Sequence, residues 1–559
     1  MIAEVIPYTR TIRGKELFDY HIPSNLAVRK GMIVCVEFRN KQLPAIVWNI
    51  KQHSTFKIIK PILGFINENC LLDSFQLHFL GWFAFYYGIS KPHAFKTIFS
   101  NINSSGFCCR REFPCNASLR HALQGSLPLR HHLPDLTIQV PFLKKKISLK
   151  EKEYLIHYSQ YEDILNIYHS IATQQSGHLL IIVPEYHVVP KIVQALTLQN
   201  VIIITVPEKA SPSFLAQTEC TLQSSTQPVI IIGTKKCVFF HPKYFSAIIL
   251  DQEESRSHKQ YHCNPRYHVR NVLYNIRKLY TEKPFALILT SHAPSVESYA
   301  RIAKNKTTYH DIRRPWKATH IEVIPMEQER QKQNYSWFSD KLIERIASSK
   351  CTLLFLNRTG NYGVAVCKDC FQLLPQDAAA CTTCKSNRLR FARKGITRLE
   401  QEIHELFPKK RIVRIDKTTE KIHATTLQKA DIVIATEKIF RVTPLSIFDY
   451  IGILSIDHLL VYPHFRSEER VFQLLVSLLS AQISILIQTF SPEHPIIQDA
   501  IHNRYQTFIQ REMNIRKAFH LPPFGEYSYL INNRTKKNTP HKGAIDTSSL
   551  PQNLMIDRL

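Results

Sequence analysis

The sequence predicts an α/β protein with two parallel-sheet lobes in tandem, the second interrupted by a cysteine-rich insertion, behind a small β-rich domain. Three observations carry this. Short β-branched runs separated by turn signals fill residues 1–65. From about residue 151, uninterrupted apolar runs alternate with helical patterns, as strands covered on both faces do. Two Cys-x-x-Cys pairs then break the second series of runs.

Taken in order, Met32–Phe38, Ala45–Ile50 and Phe56–Ile59 read as strands of the first domain. Leu71–Tyr87 reads as an amphipathic helix. Residues 101–150 are polar and turn-rich, ending in Lys144–Lys146, and read as a linker or a worn-down small domain. The first lobe draws its strands from Leu179–Val183, Val201–Val206, Val229–Ile232, Ala247–Leu250 and Phe285–Leu289. The second draws them from Thr352–Leu356, Ile412–Ile415, Ile432–Ala435, Ile451–Ile456 and Ile483–Gln488. Val471–Phe490 is uncharged for 20 residues, the length of a membrane span. Its glutamines and serines make it a buried helix followed by a buried strand instead, and no membrane association is expected. The polar stretch from Asn532 onward reads as disordered.

Composition narrows the function. Lys plus Arg number 72 against 45 Asp plus Glu, a formal charge of +27, and a field of that sign attracts a polyanion such as nucleic acid. Only 15 of 559 residues are glycine, well under the usual share of roughly 7%. Glycine lets backbone amides approach phosphates closely, so phosphate-cradling loops are disfavoured. The first ten residues lack the apolar core of a signal peptide, and most of the 13 cysteines are scattered. Both features fit a reducing cytoplasm.

Cys367-x-x-Cys370 and Cys381-x-x-Cys384 are two thiolate pairs ten residues apart. Each pair turns both sulfurs to one side of a knuckle, and two knuckles make a tetrahedral cage for one structural Zn²⁺. A redox dithiol needs only one such pair. Lys368, Lys385, Arg388 and Arg390 surround the insertion with positive charge.

The order of shorter motifs then resembles a known family. Phe18-Asp19-Tyr20 and Ile59-Lys60-Pro61-Ile62-Leu63 come first, followed by Val183-Pro184-Glu185 and Ile232-Gly233-Thr234-Lys235. Ile248-Ile249-Leu250-Asp251-Gln252-Glu253-Glu254, Pro265-Arg266-Tyr267 and Ala293-Pro294-Ser295-Val296-Glu297-Ser298 follow. After the cysteine pairs come Arg414-Ile415-Asp416, Phe465-Arg466-Ser467-Glu468-Glu469-Arg470 and Leu521-Pro522-Pro523-Phe524. This collinear series resembles the PriA (primosomal protein N-prime) family of replication-restart proteins, which are superfamily 2 DNA helicases.

The resemblance implies two RecA-like lobes with a zinc-ribbon insertion, preceded by a domain that binds the 3′ end of a DNA strand. The boundaries it suggests are 1–104 for the 3′-end domain and 105–150 for a linker or degenerate winged helix. The first lobe would span 151–345. The second would start at 346–366, carry the ribbon at 367–386, resume over 387–530, and leave 531–559 as the disordered tail. Phe18, Asp19, Tyr20 and Lys60 match the family's 3′-end pocket. An aromatic can stack on the terminal base, a carboxylate can accept the 3′-hydroxyl proton, and a lysine can meet phosphate. Where the family has glycine, this chain has Arg39.

The departures fall on the chemistry of ATP hydrolysis. No Gly-x-x-x-x-Gly-Lys-[Ser/Thr] string occurs, and its expected place reads HYSQYEDILNIYHS, with Glu162 and Asp163 facing any incoming phosphate. Asp251 is a proper Mg²⁺-ligand candidate, but Gln252 stands where the family has a glutamate that positions the attacking water. Glu253 follows, and Glu254 replaces the family's histidine. Between Arg470 and Arg504 there is no Arg or Lys, so the arginine finger has no counterpart. The family's second zinc site and its domain after the Pro-Pro-Phe motif also find no match. The leading expectation is a DNA-binding protein of primosome assembly that uses neither ATP nor Mg²⁺ and acts on forked or single-stranded DNA. Replication-restart proteins and single-strand-binding protein are its expected partners. A divergent ATP-dependent 3′–5′ DNA helicase and a basic RNA- or ribosome-associated scaffold are the alternatives.

Overall fold

The computed structural model describes residues 1–11, 16–56, 59–66, 71–100, 136–140, 145–150, 152–314 except 176, 197 and 199, 320–356, 364–367, 369, 373–375, 378–392, 396–416, 419, 426–427, 429–461, 464–532, 538–543, 545 and 554–558. Five antiparallel strands form the N-terminal sheet, in the order Phe18–His21, Ile2–Pro7, Lys41–Lys51, Ile33–Phe38, Ile62–Phe65. Arg39 and Asn40 make the two-residue turn between its central strands, with φ of 51° and 60°. Both residues sit in the left-handed region, which a tight hairpin of this length requires. At the position expected to hold glycine, Arg39 takes that conformation itself and lays its guanidinium 5.5 Å from the Phe38 ring centroid.

Helix Ser74–Tyr86 begins at a capping box in which Asp73 and Gln76 satisfy each other's backbone amides. It joins the N-terminal domain to the first lobe. Phe83 packs edge-on against Phe239, and Asp73 meets His241 at 2.6 Å.

The first lobe is a seven-stranded parallel sheet in the order Ile202–Val206, Val229–Gly233, His178–Ile182, Phe245–Leu250, Ala286–Ser291, Glu153–His157, Thr308–Asp311. The second is a six-stranded parallel sheet in the order Ile321–Pro325, Ser484–Thr489, Tyr450–Ile453, Thr352–Phe355, Ile432–Ala435, Ile412–Ile415. Helices cover both faces, so the interior strands of each sheet are buried, while the edge strands Ile202–Val206, Thr308–Asp311, Ile321–Pro325 and Ile412–Ile415 stay largely half-buried. These are two RecA-like lobes. The uncharged stretch 471–490 divides between helix Ser467–Leu479 and strand Ser484–Thr489. No helix among the described residues is long and apolar enough to cross a membrane.

Two expectations change. Residues 101–135 of the expected linker lie outside the described residues, but its end forms a hairpin, Leu136–Val140 with Lys145–Leu149. Ile138 and Leu149 of that hairpin enter the core of the first lobe. The tail expected to be disordered carries strands Asn538–Lys542 and Leu554–Arg558, which flank Tyr527–Asn532 in a three-stranded sheet. Its anchor is tertiary: Asp557 is buried against Lys259 at 2.5 Å and Arg266 at 3.1 Å.

Candidate functional site

In an open parallel sheet, ligands bind where the strands end at their carboxyl edge. Strand Phe245–Leu250 ends there in Asp251, whose side chain is wholly buried. Tyr168 Oη at 2.7 Å, Tyr161 Oη at 3.0 Å and Gln252 Nε2 at 3.1 Å donate to its carboxylate, with Thr290 Oγ1 farther off at 3.4 Å. Both tyrosines come from helix Tyr161–Gln174, which follows strand Glu153–His157 where the phosphate loop is expected. Seven residues apart, they lie on one helix face. Burial pushes the Asp251 carboxyl up to about 6, although the three shorter hydrogen bonds pull the other way.

The next residues are equally engaged. Gln252 adopts φ of 50° and folds its amide back onto Asp251. Glu253 is buried against Arg270 at 2.5 Å and accepts from the Ser295 amide at 2.7 Å. Glu254 contacts His292 Nδ1 at 2.8 Å and Ser291 Oγ at 2.7 Å. Burial opposes its ionisation, but His292 and Ser291 hold it below the usual carboxylate range. Asp163 turns away from the cleft into a two-point pair with Arg314, and Glu162 pairs with Lys191 at 2.9 Å. Sequence reasoning treated 157–170 only as a missing loop and overlooked Tyr161 and Tyr168. Their seven-residue spacing was the available signal.

At the N-terminal sheet, Phe18 packs edge-on against Phe38, with centroids 4.8 Å apart. Asp19 accepts from Ser54 Oγ at 2.5 Å and pairs with Lys51 at 2.9 Å. Tyr20 is a core residue whose hydroxyl donates to the Glu37 carbonyl at 2.7 Å. Lys60 reaches the Glu37 carboxylate at 2.6 Å. Phe18 and Tyr20 thus share the core-facing side of their strand, Asp19 lies on the opposite side against Lys51 and Ser54, and Lys60 reaches Glu37. The carboxylate of Asp19 already has two partners.

In the insertion, strands Val364–Cys367, Leu373–Pro375 and Leu389–Ala392 form a small antiparallel sheet, a little wider than the cysteine pairs themselves. The sulfurs of Cys367, Cys381 and Cys384 lie within 4.8 Å of one another, and those of Cys367 and Cys384 are 3.4 Å apart. Sulfurs bound tetrahedrally to one zinc would stand roughly 3.8 Å apart, given Zn–S bonds near 2.3 Å. The three thiols fit such a site. Cys370 lies outside the described residues.

The family model of the PriA 3′ DNA-binding domain matches residues 6–100. Replication restart protein PriA of Bacillus subtilis (strain 168) is 30% identical over 346 residues, covering 53% of this chain and 42% of that protein. Replication restart protein PriA of Chlamydia pneumoniae is 26% identical over 655 residues, covering 92% of this chain and 86% of that protein. Among solved structures, RecG bound to a three-way DNA junction is 11% identical at a TM-score of 0.37, over 66% of this chain and 44% of that one. Two parallel-sheet lobes thus stand behind a segment that matches a 3′ DNA-binding domain. Along most of its length the chain is similar to replication restart proteins named PriA, and its residues 6–100 match the 3′ DNA-binding domain of that family.

Proposed function

We propose that the protein binds forked or single-stranded DNA in replication restart and does so without hydrolysing ATP. One observation carries the second half: the carboxylate that would hold Mg²⁺ is buried, with its hydrogen bonds taken by Tyr161, Tyr168 and Gln252. Phosphoryl transfer depends on a cradle for the phosphates, a metal and a residue that positions water. Here tyrosine rings occupy the approach to Asp251, and an amide stands where a carboxylate would orient the attacking water.

In this reading, residues 1–104 engage a DNA end through Phe18, Asp19 and Lys60, with Tyr20 holding the sheet beneath them. The first lobe, whose last strand is Thr308–Asp311, and the second, which opens with strand Ile321–Pro325 rather than at the expected residue 346, serve as a basic scaffold over the duplex. Cys367, Cys370, Cys381 and Cys384 hold one Zn²⁺, which stiffens the insertion. Restart proteins and single-strand-binding protein are the partners this role calls for.

The test is DNA-stimulated phosphate release from wild type and Gln252→Glu side by side. Neither is expected to exceed background, because restoring one carboxylate does not create a phosphate cradle. Release by wild type would make the protein a divergent helicase. Release by Gln252→Glu alone would mean that a nucleotide reaches the cleft despite the two tyrosines.

A further inference from the structure

Two lobes that cycle with nucleotide must part and close again, so their interface has to open at modest cost. This interface is built otherwise. The turn after strand Ala286–Ser291 and the start of helix Val296–Ala303 belong to the first lobe, yet Ala293 and Val296 are fully buried in the core of the second. The Val296 amide donates to Glu469 Oε1 at 2.9 Å, and Tyr505 Oη donates to the Pro294 carbonyl at 3.0 Å. Around these contacts lies a cluster of buried charges. Glu297 of the first lobe meets Arg466 at 2.5 Å and Arg516 at 3.2 Å, both from the second. Arg516 is fully buried and also pairs with Glu469 and Glu512, each at 2.8 Å. On the first-lobe side, Arg270 ties Glu297 to Glu253, the residue two beyond Asp251.

A buried charge that loses its partner pays several kcal/mol of desolvation. Parting the lobes would take both Arg466 and Arg516 from Glu297, leaving it Arg270 alone, and would expose the apolar turn at Ala293. We propose that this buried cluster latches the two lobes permanently shut, so that the protein presents one rigid DNA-binding body with or without nucleotide. The latch rests on the reading above that the cleft takes no nucleotide, and it adds that the lobes no longer move. A second contact strengthens it: His292, held by Glu254, reaches Ser477 Oγ of the second lobe at 2.6 Å.

Hydrogen–deuterium exchange on the full chain tests this. Peptides covering 292–299, 467–479 and 505–516 should exchange slowly, and Mg²⁺ with a non-hydrolysable ATP analogue should leave their rates unchanged. Arg516→Gln should speed exchange in all three at least tenfold while strand Ile432–Ala435 stays protected. If that variant does not fold, Tyr505→Phe, which deletes only the bond to Pro294, should speed exchange in 292–299 about threefold. Nucleotide-dependent exchange at the interface would overturn the latch, and so would variants that leave it untouched. The two readings fail separately. Phosphate release with unchanged interface exchange would overturn the non-hydrolysing reading and leave the latch standing. Interface opening without phosphate release would do the reverse.

Discussion

Asp251 occupies the place of a metal ligand but the environment of a core residue. Its folded value of about 6 exceeds the ordinary 3.8, so between those pH values the folded chain holds a proton that the unfolded chain has released. Stability therefore falls as pH rises through that window and stays lower above it. At 1.36 kcal/mol per unit, the penalty at neutral pH is about 3 kcal/mol. Asp251→Asn removes the titration. Relative to wild type, this variant should gain up to about 3 kcal/mol between pH 4 and pH 7.5, as measured by denaturant unfolding at each pH. A difference that does not change with pH would mean that the site is open to water or to a cation. Removing a working Mg²⁺ ligand offers no such gain, so the experiment also bears on the chemistry of the cleft.

At the scale of elements, what was legible depended on whether neighbours in sequence or in space decide the structure. The branched runs at Val229–Ile232 and Ile432–Ala435 declare themselves, because strands covered on both faces must be apolar throughout. Glu153–His157 and Thr308–Asp311 escaped notice. Glu153 is buried only because Arg301 and Thr307, about 150 residues away, satisfy its carboxylate. Leu554–Arg558 carries no alternation either, and Lys259 and Arg266 fix it from the first lobe. Tyr161 and Tyr168 close over Asp251 from 90 and 83 residues away in sequence. The cysteine knuckles are the opposite case, since their spacing alone brings Cys367, Cys381 and Cys384 together. Metal analysis should return one zinc per chain, and Cys370→Ser combined with Cys384→Ser should abolish it. Because binding a structural zinc contributes folding free energy, chelation should also expose residues 364–392 to proteolysis. Zinc retained in the double variant would place the metal elsewhere.

For the whole molecule, the excess of 27 positive charges survives internal ion pairing, because each pair removes one charge of each sign. Such an excess favours a polyanionic partner, and residues 6–100 match a 3′ DNA-binding domain. Each phosphate neutralised releases counterions, so affinity falls with salt at a slope near −0.9 per contact on duplex and −0.7 on single strands. A fork engaging about six phosphates should then show a log–log slope of roughly −4 to −5, and affinity that stays flat from low to physiological salt would sink the proposal. Salt dependence alone does not separate DNA from structured RNA, because both carry the same phosphates. The separation lies at the end of the strand. Lys51 and Ser54 already engage the Asp19 carboxylate, so a 3′-hydroxyl would add to those bonds or displace one of them. Asp19→Ala should weaken binding to a fork with a free 3′-hydroxyl at least about tenfold more than to one with a blocked end, the scale of a charge-assisted hydrogen bond. Equal weakening would assign Asp19 to holding the sheet through Lys51. Equal competition by structured RNA would then favour a basic scaffold over a reader of DNA ends.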